Sequence, residues 1–160
     1  MIGSRYEKYV VNRPAPPDLN IKWGRPELGI IVPNFFLSPA GPIKESNAMV
    51  EFAWIVEDCV FGVTQEKPPH KHDCDEVFLF IGINPKDTDD LGAEVEFWLG
   101  EGEETEKIRI NTSALVFVPK GLLHLPLFFK NVKRPLLWEV VGLNIGDALK
   151  NSIKYPVRGL

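Results

Sequence analysis

The sequence is poor in histidine, cysteine and methionine, and these shortages limit what the 160-residue chain can be. It contains three histidines, two cysteines and two methionines. Cys59 and Cys74 are too few for a disulfide framework and form no CxxC motif, so we expect a reducing, cytoplasmic compartment. The first fourteen residues contain no long apolar run, and we therefore expect neither an export signal nor a membrane segment.

Clusters of lysine and arginine are also missing, while acidic residues dominate the middle of the chain. Residues 73–106 contain twelve acidic residues and a single lysine, whereas the whole chain has a net charge of -4. Binding to a nucleic-acid backbone requires clustered cations, so we expect no nucleic acid as a partner. We interpret the acidic segment as a solvated loop, because its spacing does not match a calcium-binding loop.

Proline and glycine, by contrast, are abundant at 14 and 13 residues, and they separate short segments rich in β-branched and aromatic residues. Such segments are typical of strands. The absence of helical periods between them predicts an all-β fold, an antiparallel sandwich or barrel in a single domain. We predict strands over residues 49–56, 60–65, 76–81, 93–99, 107–110, 114–118 and 136–143.

The two ends of the chain differ from this central part. Residues 14–42 contain seven of the fourteen prolines, which favours an extended arm with edge strands, one of them over residues 28–32. We therefore divide the chain into an N-terminal arm, residues 1–48, and a core, residues 49–143. Residues 144–160 form a C-terminal tail or short helix in this interpretation, with the helix over residues 144–152.

Three histidines and one glutamate form a pattern suited to a metal ion. His70 and His72 are two residues apart, so both rings project from the same face of a strand, and Glu76 has the same parity. His124 follows a turn sequence, Pro-Lys-Gly at residues 119–121. Imidazole and carboxylate ligands suit Fe(II), Mn(II), Ni(II), Zn(II) or Cu(II).

The pattern HxHxxxE, followed downstream by PxGxxH, resembles the two motifs of the cupin superfamily. The resemblance covers residues 49–143 and implies a cupin-type antiparallel β-barrel, also called a jelly roll or double-stranded β-helix. It also implies a metal ion held by His70, His72, Glu76 and His124, and a homodimer. No subfamily is assigned, because turn and packing positions of the motifs differ from the family pattern at Thr64, Gly82, Ser113 and Phe128.

The ligand set and its neighbours suggest a class of substrate. A divalent ion with neutral histidines and one carboxylate has a net charge of +1, which favours an anionic or enolisable oxygen ligand. In a regular strand, Phe78 and Phe80 point the same way as Glu76 and form an apolar wall. We therefore expect a small carbonyl or phenolic compound as the ligand or substrate.

The favoured interpretation is a metal-dependent oxygenase that uses Fe(II). A metal-dependent isomerase or decarboxylase is an alternative within the enzymes, and a non-catalytic metal-binding or small-ligand-binding protein is an alternative outside them, because a fold does not fix a function. The residues alone identify no general acid or base, so the catalytic side chains stay unassigned.

Overall fold

Nine β-strands make up most of the part of the chain that the structure describes. The structure, a computed structural model, describes residues 5–10, 30–37, 43, 45–62 and 69–146, and only the backbone of residues 30–37. Two short 3-10 helices, Glu7–Tyr9 and Gly102–Glu104, accompany the strands. The strands are β1 (Ile30–Leu37), β2 (Ala48–Ile55), β3 (Cys59–Phe61), β4 (Asp75–Gly82), β5 (Asp90–Leu99), β6 (Glu106–Thr112), β7 (Ala114–Val118), β8 (His124–Lys130) and β9 (Leu136–Leu143). Over these described ranges, no helix has the length and apolar character needed to cross a membrane.

The strands form two antiparallel sheets that face one another. One has five strands in the order β1-β2-β9-β4-β7, and the other has four in the order β3-β8-β5-β6. This arrangement confirms the predicted all-β jelly roll. The sheets form a sandwich, and the described strands do not close into one hydrogen-bonded barrel. The proline-containing β1 lies at an edge of its sheet, where a missing backbone N–H is tolerated.

Each of the seven strands predicted from residue 49 onward overlaps an observed strand, although β3 ends at Phe61, and the structure adds an eighth strand in this range. The unpredicted strand is β8, HLPLFFK. Its burial does not alternate, because Leu125 has a positive φ of 78° and the pairing with β5 shifts register between Phe97 and Leu99. A period of two was therefore not visible in the sequence. The arm over residues 11–29, Thr64 and residues 147–152 of the expected helix lie outside the described residues. Residues 144–146, the start of that helix in the prediction, are not helical.

The core lies between the sheets and follows the alternation of the strands. In β5, Val95 and Phe97 are buried while Glu94 is exposed, so apolar and charged residues occupy opposite faces of this strand. Phe80 and Phe129 complete an aromatic cluster with Phe97, and all three are at most 1% exposed. Full burial of a side chain of this size contributes roughly 1.5–3 kcal/mol.

The connector between β4 and β5, residues 83–89, lies in the acidic segment, and polar contacts of Asp90 fix its end. Asp90 accepts hydrogen bonds from the Asn84 amide at 3.2 Å and from the backbone N–H of Gly92 at 3.0 Å, and its carboxylate also pairs with Arg134. These contacts, led by the bond from Asn84, lower the pKa of Asp90. The connector therefore orders the turn into β5.

Candidate metal centre

Backbone hydrogen bonds bring the two histidine motifs together. The N–H of His70 donates to the carbonyl of His124 at 3.1 Å, and the N–H of His124 donates back to the carbonyl of His70 at 3.0 Å. This bridge aligns residues 54 positions apart. In the described part of the chain, His70 belongs to an isolated β-bridge and residues 71–74 are not part of a strand. The prediction of a regular strand around His70 and His72 was therefore wrong.

The turn before His124 connects the motifs a second time. Gly121, at a φ of +81°, donates its N–H to the carbonyl of His72 at 2.9 Å. Leu122 closes the turn with a hydrogen bond to the carbonyl of Pro119 at 3.0 Å. The positive φ is the backbone conformation that glycine adopts at little cost, so this residue suits the change of chain direction that leads into β8.

Three histidine side chains meet at the end of the sandwich. One ligand nitrogen from each of His70, His72 and His124 lies within 4.8 Å of the others, and this is a group that could hold a metal ion. The rings are 4.6 to 5.5 Å apart between centroids. Cys74 is not in this group among the described residues, and burial, followed by the charge of Glu76, raises the pKa of its thiol to about 11.

Glu76 lies beside two of the histidines and is 3% exposed. Its Oε1 is 3.8 Å from Nε2 of His72, and its Oε2 is 3.3 Å from Nε2 of His124. Oε2 is buried and nevertheless accepts no hydrogen bond from the described residues. The short separation from His124 is therefore not a properly directed hydrogen bond.

The other nitrogen of His124 explains this arrangement. Nδ1 lies 3.2 Å from the carbonyl oxygen of Leu122. A carbonyl only accepts, so Nδ1 carries the hydrogen in the neutral ring, and Nε2 presents a lone pair toward Glu76. Two electron-pair donors then face one another in a buried space, and a cation between them satisfies both. Donors at right angles around one transition-metal ion are about 3 Å apart, close to the observed 3.3 Å.

The environment keeps these histidines in the form that binds metal. Burial, followed by the charge of His70, lowers the pKa of His72 to about 4 and that of His124 to about 3. Burial and then the charge of Glu51 raise the pKa of Glu76 to about 7. Neutral imidazole is the metal ligand, and its orientation by a backbone carbonyl is the usual outer support of such a ligand. The residues present therefore fit a divalent metal ion.

Aromatic rings form the inner wall of the centre. The ring centroid of Phe78 lies 5.6 Å from that of His124, and Phe97 lies 6.4 Å from it. Phe78 thus contacts the site as the strand parity predicted. Phe80 points the same way but packs deeper, against Phe97 and Phe129.

The sequence interpretation missed Glu51. This side chain is 4% exposed and lies on β2, where Met49, Ala53 and Ile55 are also buried. The other face of β2 carries Val50, Phe52 and Trp54, so its residue types are even more apolar than those of the inner face. The pattern alone would turn Glu51 outward, and the only signal was a glutamate within an otherwise apolar strand.

Similarity to known proteins is found among solved structures. No protein-family model matches the chain, and no curated protein sequence matches it significantly. Among solved structures, it is similar to hydroxypropylphosphonic acid epoxidase from S. wedmorenis, with 12% identity over 82% of this chain and 56% of that chain and a TM-score of 0.45. It is also similar to oxalate oxidase in complex with the substrate analogue glycolate, with 17% identity over 71% of this chain and 50% of that chain and a TM-score of 0.48.

The two antiparallel sheets, with the histidines of both motifs meeting at one end, are the arrangement that the sequence resemblance implied. In its described residues, the chain has the all-β jelly-roll fold that the resemblance to cupins implied. It spans about half the length of the solved chains to which it is similar, and the similarity concerns the fold alone. Two features bring these distant residues to one site. The backbone bridge joins His70 to His124, and β4 and β8, strands of opposite sheets, carry Glu76 and His124.

Proposed function

We propose that this protein is a metal-dependent oxygenase that uses Fe(II) and acts on a small carbonyl or phenolic compound, with His70, His72, Glu76 and His124 as the metal ligands. The observation that carries the proposal is the buried pair of His124 Nε2 and Glu76 Oε2, 3.3 Å apart with electron pairs facing each other. Mn(II), Ni(II), Zn(II) and Cu(II) are the other ions that this donor set suits. A divalent ion supplies Lewis acidity there and, in the case of Fe(II), redox chemistry toward dioxygen.

The side chains around the centre contribute orientation and exclusion of water. The carbonyl of Leu122 holds the ring of His124 in one tautomer, with Nε2 turned inward. Phe78, 3% exposed, covers the inner side with an apolar ring. An apolar wall next to polar ligands favours a compound with one coordinating oxygen end and one apolar or aromatic end.

Metal analysis and oxygen uptake test this proposal. We expect one equivalent of metal per chain after anaerobic loading with Fe(II), and consumption of oxygen with at least one member of a panel of small carbonyl and phenolic compounds. His124→Ala should abolish both. Glu139 lies on the face of β9 that does not point into the core. Glu139→Gln is therefore a matched control that should preserve metal binding and oxygen consumption.

Two other results would decide between the alternatives. Stoichiometric metal without oxygen uptake, but with non-oxidative conversion of a panel compound, would favour an isomerase or decarboxylase. Stoichiometric metal with ligand binding and no conversion would favour a binding protein. Absence of metal, with His124→Ala unchanged in stability and ligand binding, would reject the centre itself.

We further propose a cytoplasmic homodimer. Two large side chains of β7, Leu115 and Phe117, are 60% and 51% exposed. β7 lies at an edge of the five-stranded sheet, and exposed apolar groups of this kind are typical of surfaces that another chain covers. Light scattering should give twice the mass of one chain for the wild type and a lower mass for Phe117→Lys. A monomeric wild type would contradict the dimer.

A further inference from the structure

The turn between β7 and β8 is held by a residue that the proposed ligand set does not include. β7 ends at Val118, which pairs with Glu76 in the ladder between β7 and β4. Pro119 follows, and because proline has no backbone N–H it cannot donate the next hydrogen bond of this ladder. The next donor is the N–H of Lys120, and it binds the side chain of Asp75, whose Oδ1 accepts it at 2.8 Å.

A second hydrogen bond joins the same turn to the first histidine motif. The N–H of Gly121 donates to the carbonyl of His72 at 2.9 Å. Two consecutive N–H groups of the turn therefore bind the segment just before Glu76, one at the backbone of His72 and one at the side chain of Asp75. Residues 71–74 are outside the strands of the structure, so these two contacts fix the turn where strand pairing has ended.

The position of the turn sets the orientation of His124. Leu122 closes the turn with a hydrogen bond to the carbonyl of Pro119 at 3.0 Å, and its own carbonyl lies 3.2 Å from Nδ1 of His124. A shift of the turn would move this carbonyl, which keeps the hydrogen on Nδ1 and directs Nε2 toward Glu76. Asp75 therefore acts on His124 through the main chain of the turn.

An ion pair of the same lysine does not explain the position of the turn. Nζ of Lys120 lies 2.6 Å from Oδ1 of Asp73, and the two side chains are 61% and 74% exposed. Exposed ion pairs contribute little, because solvent screens the charges and a long side chain loses entropy when it is held. The bond to Asp75 fixes the backbone N–H itself, so Asp75 rather than Asp73 determines where the turn lies.

We propose that Asp75 is a positioning residue of the metal centre, with a carboxylate oxygen that holds the turn by which His124 is oriented. This inference rests on the proposed metal function. The role requires a hydrogen-bond acceptor at this position and not a negative charge, so asparagine should perform it. Loss of the outer partners that orient a metal ligand typically lowers metal affinity about 10- to 100-fold.

Titration of the metal-free protein with Co(II), followed in the visible spectrum, tests this inference without relying on turnover. Asp75→Ala removes the acceptor. Asp75→Asn removes the charge and keeps an oxygen at the same position along the side chain. Asp75→Glu keeps the charge and moves the oxygen outward by one methylene group.

Asp58 provides a matched control at the other end of β8. Its Oδ1 accepts the N–H of Val132 at 2.8 Å, and its Oδ2 accepts that of Asn131 at 3.0 Å. Asp58→Ala therefore removes the same kind of contact, a carboxylate that holds the backbone of a distant turn, without touching the histidines. This variant should lose stability in urea unfolding and keep the Co(II) affinity of the wild type.

We expect Asp75→Ala to bind Co(II) at least about tenfold more weakly than the wild type. Asp75→Asn should bind Co(II) as the wild type does, and Asp75→Glu more weakly than Asp75→Asn. In the metal-free protein, the N–H of Gly121 should exchange with solvent about tenfold faster in Asp75→Ala and at the wild-type rate in Asp75→Asn. If Asp75→Ala does not fold, the comparison of Asp75→Asn with Asp75→Glu decides the matter.

The outcomes separate the two proposals. Unchanged Co(II) affinity in Asp75→Ala overturns the role of Asp75. Equal losses in Asp75→Asn and Asp75→Ala show an effect of charge, equal losses in Asp58→Ala and Asp75→Ala show general destabilisation, and either result overturns it too. In each of these cases the wild type binds Co(II), so the metal function stands. Failure of the wild type to bind Co(II) overturns the proposed metal function, and the inference falls with it.

Discussion

Replacement of Glu76 by glutamine should stabilise the metal-free protein at alkaline pH and weaken it as a metal-binding protein. Glutamine has the shape of glutamate and no charge, and its amide can donate a hydrogen bond to Nε2 of His124, 3.3 Å from the present Oε2. The amide would then satisfy the buried lone pair on Nε2 of His124 without an ion. In the wild type only a cation or a proton on Glu76 does this.

The size of the effect follows from the pKa of Glu76. Burial raises it from the usual value of 4.5 to about 7. Below 4.5 the group is protonated in the folded and unfolded chains alike, and as the pH rises through about 7 the folded chain must accept a buried charge, so stability is lost. One pKa unit corresponds to about 1.4 kcal/mol, so between pH 5.5 and pH 8.5 the wild type should lose about 2 kcal/mol relative to Glu76→Gln.

Urea unfolding in the presence of a chelator, followed by the fluorescence of the four tryptophans, measures this difference. Glu139→Gln retains Glu76 and should therefore lose stability over this pH range as the wild type does. Added Zn(II) should reverse the order and raise the free energy of unfolding of the wild type more than that of Glu76→Gln. An equal difference at both pH values, or equal stabilisation of the two proteins by Zn(II), would refute the reasoning.

Three further predictions concern the neighbours of this pair. In metal-free Glu76→Gln, the free energy of unfolding should fall as the pH is lowered from 6.5 to 4.5. His72 and His124 have pKa values lowered to about 4 and 3, so in this range they take up protons only on unfolding. A free energy of unfolding that does not change with pH in urea titrations would contradict this. Phe78→Ala should cost about 3–5 kcal/mol in the free energy of unfolding, and a loss below about 1 kcal/mol would show that the ring is not packed as described. Gly121→Ala should cost about 1–2 kcal/mol and weaken Co(II) binding measured by titration, since nothing lies near the added Cβ and only the backbone conformation is strained. Gly102 has a φ of +60° and no atom near an added Cβ, so Gly102→Ala should cost a similar free energy of unfolding and leave Co(II) affinity unchanged. Equal losses of Co(II) affinity in the two variants would reject a special role of the turn at Gly121.

The extent to which the strands were predictable depended on their alternation. β5 and β6 place charged and apolar residues on opposite faces, so both the strand and its buried face could be recognised. β2 has apolar residues on both faces, and only its pairing with β9 shows that Glu51 points inward. In β8 the positive φ of Leu125 and the register shift interrupt the alternation, and no period was left to detect.

The candidate centre, too, was predictable only in its local features. The spacing of His70, His72 and Glu76 and the turn before His124 were sufficient to propose a ligand set, because these are local features of the chain. The expected regular strand around the first two histidines was wrong, since His70 forms a single bridge with His124. That bridge, rather than strand parity, brings the rings within reach of one another.

Alternation, turns and ligand chemistry are local properties of a chain, so the strand-rich character of this protein and the residue types available to a metal could be predicted from the sequence. Tertiary contacts establish which lone pairs face each other and that Glu51 lies buried on the inner face of β2. Glu51 and Glu76 lie on strands far apart in sequence, and β9, which comes later in the chain than either of them, sets their register. Contacts of this kind depend on long-range strand pairing, which a period of two along one strand does not encode.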